Sequence, residues 1–147
     1  MTVRELQPSD LQSLLALYRH LNPMDPPLDD GTARDIWLET LANPRSRHFG
    51  GFDGDVLVSA CTITVIPNLT RGGRPYALIE NVVTDASHRR RGWGNAVLAA
   101  ALEFAWSHGC YKVMLLTGRK NEATHRFYEK ARFSKDEKQG FVARPVA

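Results

Sequence analysis

The residues most suited to chemistry lie past the middle of the chain, in Asp85-Ala86-Ser87-His88-Arg89-Arg90-Arg91-Gly92-Trp93-Gly94-Asn95. Three consecutive arginines lead into two glycines at alternate positions, and an alanine-rich apolar run follows. Such a pattern reads as a basic turn opening a helix. The first N–H groups of a helix have no intrahelical acceptor and carry the positive end of its dipole. Glycines let an anionic ligand approach that backbone, and arginines add formal charge. The implied chemistry is the cradling of a pyrophosphate. A P-loop would need GxxxxGK[ST], which does not occur. A dinucleotide fingerprint fails because Val97 stands at its third small position. What remains is R-x-x-G-x-G, carried by Arg89, Gly92 and Gly94.

Several elements must position this turn. Residues 2–6 read as a strand. Ser9, with Gln12 three residues on, predicts a capping box for a helix carrying Leu11, Leu14, Leu15, Tyr18 and Leu21 at helical spacing. Residues 22–30 hold Pro23, Pro26 and Pro27 and predict a loop; residues 32–41 predict a second helix. Residues 48–52 and 56–66, around Asp53-Gly54, predict a hairpin. A turn cluster at 68–73 precedes a strand over 76–84. A long helix over 92–108 ends at Gly109. A short buried strand over 111–116, a helix over 121–131 and closing strands from Phe133 and over 141–146 complete the chain. Strand, glycine turn, helix and buried strand form a βαβ unit. The expected class is α+β: a mixed, mostly antiparallel sheet with helices on both faces, in one domain over residues 1–147.

R-x-x-G-x-G between a strand and an alanine-rich helix resembles motif A of the GNAT superfamily of acetyl-CoA-dependent N-acetyltransferases. The run from Asn121 through Phe127-Tyr128-Glu129-Lys130-Ala131-Arg132-Phe133 is similar to that family's second signature. Two signatures in order, on the expected elements, are far more specific than a lone GxG. Leu78-Ile79-Glu80-Asn81-Val82-Val83 and Gly109-Cys110-Tyr111-Lys112-Val113 are further similar to the glucosamine-phosphate N-acetyltransferase branch. The resemblance implies a GNAT fold and acetyl transfer from acetyl-CoA to a primary amine, by direct attack in a ternary complex.

The resemblance also implies roles. Backbone groups of Val82 and Val83 would pair with the pantetheine arm of acetyl-CoA. The backbone at Arg90, Arg91, Gly92, Trp93, Gly94 and Asn95 would hold its pyrophosphate, with Arg89 in the motif's first position. Asn121 would lie near the cofactor, or simply cap its helix. Tyr128 would protonate the leaving thiolate, and Glu80 would take the proton of the acceptor ammonium, with Asp85 the second choice. Alternation would place Glu80, Val82 and Thr84 on one face of the strand. Two residues depart from the family pattern: Trp93 between the glycines, and Arg132 where glycine is usual. The acceptor, a small-molecule or peptide amine, would be selected by the N-terminal helices and the loops at 22–30 and 68–74. There Asp25, Asp29 and Asp30 could favour a cation.

Composition bounds the alternatives. Of 147 residues, 43% are hydrophobic and 24% charged, as in ordinary globular domains. The net charge is +3, from 19 basic and 16 acidic residues. Arg89, Arg90 and Arg91 account for the whole excess, so the rest of the chain gives no separate reason for a nucleic-acid surface. A basic-patch nucleic-acid binder using these three with Arg71 and Arg74 stays open as an alternative, as does a non-catalytic acyl-CoA-binding or sensing module of the same fold. No apolar run is long enough to span a membrane, and the start lacks a signal core, so a cytoplasmic protein is expected. Homodimers are common in the family. The histidines show no HxxxH or HExxH spacing, and Cys61 and Cys110 form no CxxC, so no metal site is expected. Both cysteines read as small buried residues.

Overall fold

The structure is a computed structural model describing residues 1–146. The chain forms two compact units, Met1–Leu115 and the residues from Leu116 onward.

The first unit holds a five-stranded sheet in the order β1 (Thr2–Glu5), β2 (Ser46–Asp53), β3 (Val56–Ile66), β4 (Tyr76–Thr84) and β5 (Val113–Leu115). The first three pairings are antiparallel, and β4 with β5 is parallel. The helices are α1 (Leu11–Tyr18), α2 (Asp30–Ala42), the single turn α3 (Thr70–Gly73) and α4 (Trp93–Ser107). The mixed, mostly antiparallel sheet of an α+β fold is thus as expected.

Alternation along the strands divides the core between two faces. One face packs on α4: Ile63, Ile79, Val97 and Leu98 are essentially inaccessible to solvent, and the Cys61 thiol donates to the Val97 carbonyl at 3.5 Å. On the other face Leu14 and Leu17 of α1 and Trp37 of α2 pack with Leu6, Phe52, Leu57, Ala60 and Val83.

Several local expectations are corrected. The first helix is not capped by Ser9 and Gln12. Instead the Gln7 N–H donates to Asp10 at 2.7 Å, and Arg4 holds the same carboxylate at 2.8 and 3.0 Å. A charge-assisted pair there outcompetes a serine hydroxyl. The second helix begins at Asp30, capped by Asp29, which accepts from the Thr32 N–H at 2.9 Å. The strand expected over 111–116 has three residues, all half-buried. The closing strands do not form among the described residues: the segment after α5 (Glu122–Lys130) is irregular, with Phe141, Val142 and Val146 exposed. Apolar residues make a strand only where an edge accepts them, and Pro145 offers no N–H to pair.

Candidate active site

Asp85 follows β4 and organises the basic turn. One carboxylate oxygen accepts from the Ser87 N–H at 2.8 Å and from the Ser87 hydroxyl at 2.6 Å, and His88 Nδ1 lies 3.2 Å from it. The other oxygen faces His20 Nε2, just past α1, at 3.3 Å. His88 Nε2 reaches Asp53, beside the β2–β3 turn, at 3.4 Å. The bonds from Ser87, then His88, hold the Asp85 carboxyl at about 2. Both oxygens are engaged, so Asp85 fastens the loop and is poorly placed to serve as a base. Arg89 Nε closes the turn on the Thr84 carbonyl at 3.2 Å.

Beyond this fastening the backbone turns concave. Arg90 and Gly92 have φ of 61° and 85°. Left-handed residues in such a turn point successive N–H groups inward, an arrangement suited to an anion. The first intrahelical bond of α4 runs from the Ala96 N–H to the Gly92 carbonyl at 3.0 Å, so the N–H groups of Trp93, Gly94 and Asn95 precede it. No side chain caps this helix start, and Asn95 Oδ1 is buried without a partner. Arg89, Arg90 and Arg91 are all exposed around it. Trp93 does not cover the turn: it is 5% exposed, and a Cβ on Gly51 of β2 would lie 3.1 Å from its ring. Gly51 is the space into which Trp93 fits. The large ring is therefore absorbed by the core, and the backbone of the GxG stays available.

β4 approaches this turn with one edge open. It pairs with β5 only at Ala77, Leu78 and Ile79, so from Glu80 to Thr84 the strand has β3 alone as its sheet neighbour. Here the structure corrects the assumed alternation. Glu80 pairs with Thr62 and Val83 with Ala60, setting Asn81 and Val82 against Cys61. Asn81 has φ of 53°. This is a β-bulge, and it shifts the facing of every residue beyond it. Ile79 stands on the α4 side, whereas Val83, two pairs of residues on, packs with α1 and α2. Glu80 and Val83 thus share a face; Val82 and Thr84 do not share it with Glu80. Glu80 is exposed, Val82 half-buried and Val83 buried, its carbonyl accepting from the Ser59 hydroxyl at 3.0 Å.

Three residues near this strand were not singled out in the sequence. The polar side chains of Thr62 and Asn81 lie close enough to the Tyr18 hydroxyl to oppose the effect of burial on its pKa. Thr62 Oγ1 lies 3.0 Å from His48 Nδ1. His48 is buried edge-on to Trp37, with ring centroids 4.9 Å apart, and its Nε2 has no partner. Burial pushes the Tyr18 pKa up and the His48 pKa down. Tyr18 sits at helical spacing among leucines, so its position signalled only packing; the polar partners come from other strands.

The second unit carries the other signature. Asn121 caps α5, its side-chain oxygen accepting from the Thr124 N–H at 2.9 Å. The Tyr128 ring lies 4.8 Å from Phe127 and 6.3 Å from Phe133, centroid to centroid. Arg132 has φ of 72°. Its N–H donates to Glu129 at 2.9 Å, and the Phe133 N–H donates to Tyr128 at 3.0 Å. These two bonds are those of a glycine-terminated helix end, so arginine has replaced the usual glycine with that geometry retained.

The remaining candidates are accounted for locally. Burial pushes the Cys61 thiol up to about 12 and raises that of Cys110, leaving neither disposed to act as a nucleophile. Arg74 is held by the carbonyls of Gly109 and Cys110, each at 3.3 Å, and Arg71 lies over the Tyr111 ring at 5.7 Å. Asp29 is committed as a helix cap, which leaves Asp25 and Asp30 as the acidic residues of the 22–30 region without that duty. Among the described residues no group of three or more His, Cys, Asp or Glu side chains could hold a metal ion, and no helix is long and apolar enough to cross a membrane.

An open strand edge running through a basic, concave turn into an uncapped helix defines a site for an extended ligand with an anionic middle. Comparison with known proteins specifies the class. Residues 13–133 match the acetyltransferase (GNAT) family, and the chain belongs to that family. It is an acyltransferase with acetyl-CoA as its acyl donor, rather than a non-catalytic module. It is 35% identical to the glucosamine 6-phosphate N-acetyltransferase of Trypanosoma brucei brucei over 95% of this chain and 92% of that one. The solved structure of a proposed acetyltransferase from Agrobacterium tumefaciens aligns with a TM-score of 0.94 at 44% identity, covering 99% of this chain and all of the other. An acetyltransferase from Trypanosoma brucei aligns with a TM-score of 0.82 at 32% identity, covering 97% and 99%.

Proposed function

We propose that the acceptor is a phosphorylated amino sugar of the glucosamine 6-phosphate type. The observation that carries this is the near full-length similarity to an enzyme named for that substrate. The chain would act as a single domain in the cytoplasm. The turn from Arg89 through Asn95 suits the pyrophosphate of acetyl-CoA: it combines exposed arginines, inward N–H groups and no competing cap. Val82 and Val83 lie on the open stretch of β4 and would pair with the pantetheine arm, and Asn121 keeps its family role beside its capping one.

In this reading Glu80 takes a proton from the acceptor ammonium. The freed amine attacks the thioester carbonyl, forming the amide C–N bond and breaking C–S. The thiolate leaves with the phenolic proton of Tyr128, and the second proton of the attacking nitrogen restores the phenol, directly or through water. The exposure of Glu80 supports its part; Tyr128 is assigned on the signature. The test is thiol release from acetyl-CoA with a panel of glucosamine 6-phosphate, glucosamine, an aminoglycoside and a lysine peptide. Glucosamine 6-phosphate should give kcat/KM at least tenfold above every other amine. Thiol release at the hydrolysis background with it, alongside turnover of another amine, would overturn the substrate and keep the family.

A further inference from the structure

Several of the bonds that shape the basic turn are internal to it: Ser87 to Asp85, and Arg89 to the Thr84 carbonyl. Others tie it to neighbouring elements. The Asp85 N–H donates to the Val58 carbonyl of β3 at 2.8 Å, and the Asp85 carboxylate faces His20 at 3.3 Å. Both hold the start of the turn. His88 stands further on, next to Arg89, and its tie runs to Asp53, the last residue of β2, at 3.4 Å. The His88 ring has acceptors on two sides. Nδ1 lies 3.2 Å from Asp85 and 3.0 Å from the Ser87 oxygen, whose own proton goes to Asp85 at 2.6 Å. Nε2 faces the Asp53 carboxylate. A neutral imidazole has one N–H and one lone pair, so it makes only one of these sides attractive. The protonated ring donates on both, and joins carboxylates from two separate elements.

We propose that His88 and Asp53 are positioning residues for acetyl-CoA binding, a strut that seats the arginine and glycine turn on the β2–β3 hairpin. This rests on the reading that the turn holds the pyrophosphate. With the strut in place, the left-handed residues Arg90 and Gly92 present the N–H groups of Trp93, Gly94 and Asn95 at a fixed point over the sheet. Without it, the turn keeps its internal bonds but loses its tie to the hairpin. Asp53 separates positioning from charge. It is an anion near the place of an anionic ligand, so removing its charge would by electrostatics alone tighten acetyl-CoA. Removing its tie to His88 loosens the turn and weakens acetyl-CoA. The two effects have opposite signs.

The experiment measures acetyl-CoA binding by calorimetry, with urea midpoints as the control for folding. The Asp53 side chain is mostly exposed, so Asp53→Asn should leave the midpoint almost unmoved. It should weaken acetyl-CoA about threefold, the scale of a surface ion pair. His88→Leu removes the ring from both carboxylates and should weaken acetyl-CoA about tenfold, the scale of hydrogen bonds to charged groups. The double variant should bind no more weakly than His88→Leu alone, because the two residues act through one contact. Should His88→Leu not fold, Asp53→Asn carries the test. Native or tighter affinity in Asp53→Asn, or losses that add in the double variant, would each overturn the inference. Gly92→Val tests the underlying reading, since a β-branched residue does not readily hold φ of 85°. Native acetyl-CoA affinity in that variant removes the pyrophosphate site and this inference with it. Loss in Gly92→Val with none in Asp53→Asn removes the inference alone.

Discussion

On the α4 side of the sheet, Ile63, Ile79, Val97 and Leu98 are no more than 1% exposed, and the Cys61 thiol and the Ser59 hydroxyl each donate to a backbone carbonyl. On the α1 and α2 side, the same strands set the buried His48 3.0 Å from Thr62, beside Tyr18, the leucines of α1 and Trp37. Both faces bury apolar surface and each adds a polar pair, Ser59 with Thr84 at 2.9 Å on the α4 side and Thr62 with His48 at 3.0 Å on the other, where His48 Nε2 is left without a partner. A buried polar chain stabilises little beyond what an apolar core would, and leaving one member unpaired is costly. The unpartnered His48 nitrogen lies on the face that carries Glu80, whose β3 partner is Thr62.

The largest effect expected from this contrast is on stability. Leu98→Ala removes a side chain with no solvent exposure and should cost about 3 kcal/mol. Urea unfolding should show the loss, and the protein that remains folded should keep kcat within threefold. A tenfold fall in kcat at saturating substrates would show that the α4 face also sets the chemistry.

Next comes the exposed carboxylate on the opposite face. Glu80→Gln should lower kcat roughly a hundredfold, the scale of a lost general base, and leave the urea midpoint almost unmoved because the side chain is exposed. Native kcat would transfer the base role elsewhere.

The smallest effect is a pH limb. Burial lowers the His48 pKa below 6.5, so folding favours its neutral form. Its contribution is complete above pH 6.5 and declines as pH falls below that value, where the unfolded chain gains a proton that the folded chain resists. Asp10, Asp29 and Asp85 have lowered pKa values, and their contributions decline only as pH falls below 3.8. Urea midpoints between pH 7.5 and 5 should therefore fall less in His48→Leu than in the native chain. An identical slope would mean that folding leaves the proton affinity of His48 unchanged.

The basic glycine turn was legible because its parts are adjacent in sequence: arginines, alternating glycines and an alanine-rich helix need no distant partner to be recognised. The hairpin at Gly54 and the helix end at Gly109 were legible for the same reason, each glycine having positive φ. Trp93 was not, since the space for it comes from Gly51 on another strand. Arg132 looked like a break in the helix end, yet the backbone bonds that close α5 hold it in the left-handed region.

The sequence by itself determined the fold class and the place of the basic glycine turn, because periodicity and short motifs encode local geometry, and its two signatures carried the resemblance that gave the family and the acyl donor. Only the tertiary structure decided which way β4 faces the site. The bulge sets two residues of β4, Asn81 and Val82, against Cys61 alone on β3. Strand alternation assumes that each residue answers only to its neighbours in the chain. At Asn81 the deciding partners are distant in sequence, and so Glu80 lies on the opposite face from Val82.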